Sequence, residues 1–171
     1  MTLWSTELHE TLIVGSEQPF EFDYNRIKER FENEEVKATL GEVGVRSVDQ
    51  LLSTYISDTE GLSEFASDAT PVTDNRPSIE YSNWVRKGEF PRVITEVSQI
   101  GEHMTLIGAN DKIDQSIINE REKLWTLYRA GYYFYLRDFE NWDATLKRIV
   151  PELRSNRYFG SFVNLNTNED E

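Results

Sequence analysis

Apolar and polar residues alternate in part along the start of the chain, from Leu3 through Val14, and the pattern stops at Gly15-Ser16. Enrichment in Trp, Thr, Ile and Val with a turn signal behind it predicts one or two β-strands. A strand satisfies its backbone groups only by pairing, and few later segments look like partners. The natural sheet is therefore expected to extend beyond this chain, as it would in a fragment. The period then changes. Residues 24–32 place Ile27 and Phe31 on one face, residues 34–40 make a second short helical pattern, and residues 47–56 carry a stripe of Val48, Leu51, Leu52 and Tyr55. Gly41 and Gly44 suit the stop of the second helix. Ser47 with Gln50 three residues on has the spacing of a capping box at the start of the third.

A further short helix is predicted over residues 61–66, a turn region over 68–77, a short strand over 78–81 and a linker over 83–90, ending at Pro91. Beyond Pro91 the whole pattern reads as helical. Val93, Val97, Ile100, Met104 and Ile107 recur at three- and four-residue steps, and Gly108-Ala109-Asn110 ends that run before Asp111 caps the next. The second run carries Ile113, Ile117, Leu124, Tyr128, Tyr132 and Tyr135. The third, over 139–150, aligns Trp142, Leu146 and Ile149. The expected fold class is mainly α with a small β component (α+β): short strands and helices, then antiparallel helical hairpins, then a polar, acidic tail over 164–171 that cannot bury enough to order itself.

Charge and composition narrow the function by exclusion. Eighteen Lys and Arg face 31 Asp and Glu, a net charge of −13, which opposes nucleic-acid phosphates and anionic lipid. Without cysteine there is no disulfide framework, thiolate nucleophile or cysteine-ligated metal, which fits a reducing, cytoplasmic setting. No apolar run approaches the roughly 20 residues that span a bilayer, so direct membrane insertion is not expected. Glycine-rich phosphate motifs and a nucleophile elbow are missing, and His9 and His103 lack partners at metal-ligand spacing. Catalytic, cofactor-binding and metal-ligating residues are accordingly all expected to be none in this chain.

Around residues 127–149 the pattern has the look of a tetratricopeptide unit. Ala130 falls where a small residue is needed, and Arg137-Asp138-Phe139-Glu140-Asn141 resembles the turn, although Trp142 stands where the repeat prefers alanine. Tyr128, Tyr132 and Trp142 are the candidate interaction surface, while core packing is the commoner role of such an aromatic stripe.

One segment carries a more specific likeness. Thr73-Asp74-Asn75-Arg76-Pro77-Ser78-Ile79-Glu80-Tyr81 resembles the T-D-D-R-P-x-x-E-[FY] signature near the C-terminal end of spermidine-synthase-like proteins, with Asn75 in place of the second aspartate. Its surroundings agree: a strand like His9 through Ser16, an acidic turn like Gln18-Pro19-Phe20-Glu21-Phe22-Asp23, and a leucine-rich helix like Asp49-Gln50-Leu51-Leu52 precede it in the same order. The likeness covers about residues 4–84. Within the signature, Thr73, Asp74, Arg76, Pro77 and Glu80 read as structural: Asp74 accepts backbone donors in a turn, Pro77 fixes the strand entry, and Arg76 pairs with Glu80.

The resemblance implies an aminopropyltransferase-like parent whose nucleotide-binding glycines and catalytic aspartate lie upstream of anything matched here. The expected division is a C-terminal part of the synthase-like fold over 1–84, which the resemblance implies, then a linker over 85–90, a tetratricopeptide-like helical region over 91–163 that the synthase fold does not require, and the acidic tail over 164–171. The chain is then expected to be a non-catalytic C-terminal module, needing no cofactor, whose partner is the remainder of the parent polypeptide or another protein. The parent would be cytoplasmic or would hold the module at the cytoplasmic face of a membrane. The rival expectation is a free-standing tetratricopeptide-like adaptor unrelated to polyamines.

Overall fold

The structure is a computed structural model, and it describes residues 1–7, 10–70, 96–97, 100 and 104–148 of the chain. It is mainly helical with a small β component. In chain order the elements are β1 (Thr2–Glu7), β2 (Glu10–Val14), β3 (Phe22–Asp23), α1 (Tyr24–Phe31), α2 (Glu34–Glu42), α3 (Val48–Ser53), β4 (Tyr55–Asp58), α4 (Thr59–Phe65), β5 (Leu106–Ile107), α5 (Asp111–Tyr135) and α6 (Phe139–Leu146). The predicted strand at 78–81, the linker and the signature residues Thr73, Asp74, Arg76, Pro77 and Glu80 lie outside the described residues, as do His9, His103 and Ile149.

Local chemistry sets where these helices begin. Each of the six has a short polar side chain accepting from a free backbone donor of its first turn: Asp23, Asn33, Ser47, Asp58, Asn110 and Asp138 in order. Ser47 Oγ accepts from Gln50 N at 3.1 Å, as the capping-box spacing predicts. The reciprocal bond is displaced by one residue, because Gln50 Oε1 accepts from Arg46 N at 2.8 Å. For α5 the cap is Asn110, whose Oδ1 reaches Lys112 N and Ile113 N at 3.0 and 3.2 Å, and Asp111 is the first helical residue. Stops are equally local. Gly44, at φ 84°, closes α2 in a Schellman arrangement with Val45 N bonded to Leu40 O and Gly44 N to Gly41 O. Gly41 itself lies inside the helix. α5 ends the same way, with Asp138 N on Tyr133 O and Arg137 N on Phe134 O, but here the left-handed position is Arg137 at φ 57°.

Two segments depart from their sequence pattern. The helix expected over 47–56 ends at Ser53, and Tyr55–Asp58 is strand β4, antiparallel to β1. Tyr55 does sit at helical spacing from Leu51 and Leu52, but Tyr-Ile-Ser is equally compatible with a strand, and pairing with β1 decides it. The strand partner that seemed missing downstream is therefore present, and the sheet order is β2-β1-β4. Leu106 and Ile107, expected to close a helix, instead pair in parallel with Phe22 and Asp23.

Three apolar clusters hold these elements together. Leu3 and Ile56 pack with Val97, Leu62 and Ile100 on one face of the sheet. On the other, Phe31, Val48, Leu52 and Ile117 make a core that also takes in Trp4, Tyr24, Ile27, Met104, Leu106 and Ile113. The third joins Leu127 and Ala130 of α5 to Trp142 and Leu146 of α6. At about 1.5 Å per residue, the 25 residues of α5 make a rod long enough to serve both of the last two clusters. Its first half belongs to the same core as α1 and α3, while its second half is covered by α6.

Candidate functional site

The face of β1 that carries Trp4 looks toward the helices, and the strand register decides what stands beside it. Trp4 lies opposite Leu12 on β2 and opposite Tyr55 on β4, while Thr2 lies opposite Val14, so these side chains share one face. Trp4 meets the rings of Tyr55 and Phe22 edge to face, at centroid distances of 5.3 and 5.8 Å. Between this face and the helices a cleft of about 650 Å³ remains open. Leu12, Val14 and Phe22 line its sheet side. Ile27, Leu51 and Leu52 come from α1 and α3, and Leu40, Val43 and Val45 from the Schellman end of α2.

None of the described residues lining the cleft is charged. Two of its hydroxyls are engaged within the chain: Ser5 Oγ is hydrogen-bonded to the Tyr128 hydroxyl, and Thr54 Oγ1 donates to Leu51 O at 2.7 Å. Such walls can bury apolar groups of a neighbour, but they offer no acid, base or nucleophile placed for chemistry. A second depression of about 640 Å³, on the other side of Phe22 and Tyr55, is bordered by Glu17, Asp58, Glu60 and Ser63. Asp58 is already committed there to the backbone donors of Glu60 and Gly61, at 2.9 and 3.1 Å.

Behind the cleft, a polar tie links three helices. The Tyr24 hydroxyl donates to Asp49 Oδ1 at 2.9 Å, and Ser116 Oγ donates to Asp49 Oδ2 at 2.5 Å. One turn along α5, Gln50 Nε2 donates to Glu120 Oε2 at 3.2 Å, and Glu120 also holds Lys123. The buried Arg121 donates Nε to the carbonyl of Ser53 at 3.4 Å. Burial, and after it the bond to Asp49, raises the Tyr24 phenol above its ordinary value.

The three aromatic candidates divide. Tyr128 is 4% exposed, bonded to Ser5 and edge to face with Trp125, so it stands in the interior and off any open surface. Tyr132 is half-buried against Tyr133. Trp142 is half-buried against Leu127 and Ala130, with its Nε1 buried and without a hydrogen-bond partner among the described residues. The sequence pattern did not single out Leu12, Val14, Tyr24, Asp49 or Ser116 as a set.

Among the described residues no group of three or more His, Cys, Asp or Glu could hold a metal ion, and no helix is long and apolar enough to cross a membrane. Compared with protein-family models, with curated proteins and with solved structures, the chain matches none.

Proposed function

We propose that the chain is a non-catalytic module of a spermidine-synthase-like protein, which completes the synthase-like domain and offers surface to the remainder of the parent polypeptide or to another protein. The order of motifs over residues 4–84 is what supports the family reading. The structural observation that supports a module is the uncharged cleft of about 650 Å³ opening beside β2. Apolar walls with their hydroxyls already bonded suit coverage by polypeptide better than capture of a polar nucleotide.

Calorimetric titration of the full chain with S-adenosylmethionine tests the reading. No saturable heat is expected, and incubation with decarboxylated S-adenosylmethionine and putrescine should yield no spermidine. A dissociation constant in the micromolar range, or turnover, contradicts it.

A further inference from the structure

The two edges of the three-stranded sheet are treated differently. On β4, Tyr55, Ile56 and Ser57 are buried. On β2, Leu12 is 49% exposed and Ile13 is 59% exposed, and among the described residues no strand lies along the outer side. An edge strand carries outward N–H and C=O groups in a fixed repeat, and the surface that matches them is another extended backbone. Proteins usually blunt such edges with Lys, Pro, an inward charge or a bulge. Thr11, Leu12, Ile13 and Val14 contain none of these residues, and the bulge in this pair is on β1, between Ser5 and Glu7 beside the Glu10–Thr11 step, so the register from Thr11 to Val14 is unbroken.

We propose that β2 accepts an additional strand from another polypeptide, and that side chains on one face of the incoming strand enter the cleft beside Leu12 and Val14. The proposal rests on the module reading above and gives the chemistry of its partner: an extended segment, apolar on the cleft side, with basic residues at its ends. The face requirement follows from the register, which puts Leu12 and Val14 on the cleft side and Ile13, opposite Leu3, on the other. The basic ends follow from charge. β2 begins at Glu10 and is flanked in sequence by Glu7 and Glu17 in a chain of net charge −13, so a second copy is repelled and a cationic segment is drawn in.

Because strand addition is driven by main-chain hydrogen bonds, a generic strand tests it. The probe is a short peptide alternating threonine with valine and leucine, with lysine at both ends, titrated into the isotope-labelled full chain under amide hydrogen exchange. The outward amides of β2 should exchange at least roughly tenfold slower with peptide bound, since pairing must open before they exchange. Ile13→Lys should weaken binding by about tenfold or more, by placing a charge at the seam. Val36→Lys, the same charge change on exposed α2, should leave binding unchanged. Thr11→Lys replaces Ile13→Lys if the latter lowers the melting temperature. The same peptide N-methylated at alternate residues keeps its side chains, loses its donors and should not bind.

Absence of new protection in β2 overturns the proposal. Equal binding of the N-methylated peptide does so too, since the cleft would then be capturing side chains alone. Concentration-dependent pairing of the chain with itself through β2 overturns the choice of partner. The two readings fail separately: nucleotide binding with β2 protection intact defeats only the module reading, and silence at β2 without nucleotide binding defeats only strand addition.

Discussion

Replacing Asp49 by alanine removes one carboxylate that accepts from two helices at once, Tyr24 on α1 and Ser116 on α5, at 2.9 and 2.5 Å. A hydrogen bond to a charged acceptor contributes about 1.5–3 kcal/mol when well buried. These two are only partly buried, and the freed hydroxyls can recover water, so about 1 kcal/mol each is the appropriate scale. The total, about 2 kcal/mol, corresponds to a drop of about 4–8 °C in Tm for a chain of this size. Circular dichroism melts of Asp49→Ala, Tyr24→Phe and the double variant form a cycle, and the coupling between the two sites should be about 1 kcal/mol. A Tm within about 1 °C of the parent for Asp49→Ala, or a coupling near zero, would refute the claim that this carboxylate fastens α5 to α1 and α3.

Leu52, 1% exposed within the Phe31–Val48–Ile117 cluster, should cost about 2–5 kcal/mol as Leu52→Ala, read from urea denaturation, against less than about 0.5 kcal/mol for the exposed Ile118→Ala. Arg137→Gly should raise stability by about 0.5–1 kcal/mol in the same assay, because glycine adopts the left-handed close of α5 without a Cβ penalty. The Tyr24 phenol is raised above its ordinary 10.0 by burial and then by Asp49. Its contribution to stability is therefore full below pH 10.0 and is lost as pH rises through the folded value, a loss that denaturation at alkaline pH should show and that Asp49→Ala should diminish.

What could be read from residue order was whatever local chemistry settles. Ser47 and Gln50 announced α3, Gly44 closed α2, and Ile27 with Phe31 marked the buried side of α1, since each signal acts within one or two turns. Tyr55 and Ile56 could not be placed that way. Their spacing from Leu51 and Leu52 continues a helix, and only β1, some fifty residues earlier, turns them into a strand. Leu106 and Ile107 failed for the same reason, as β5 exists through its pairing with Phe22 and Asp23. Asn110 and Asp111 both suit a cap, and geometry alone chose Asn110. The cleft was invisible because Leu12, Ile27, Leu40 and Leu51 come from four separate elements, none of which signals it singly. Asp49 and Ser116, 67 positions apart, illustrate the same limit for a polar contact.

Amide hydrogen exchange of the free chain tests most directly whether β2 is an open edge. The amides of Tyr55, Ile56 and Ser57 in β4 should be protected to near the free energy of global unfolding, while the outward amides of Thr11 to Val14 should exchange through small local openings, orders of magnitude faster. Equal protection of β2 and β4 would mean that the edge is already covered within the chain, and would contradict a module built to receive another polypeptide there.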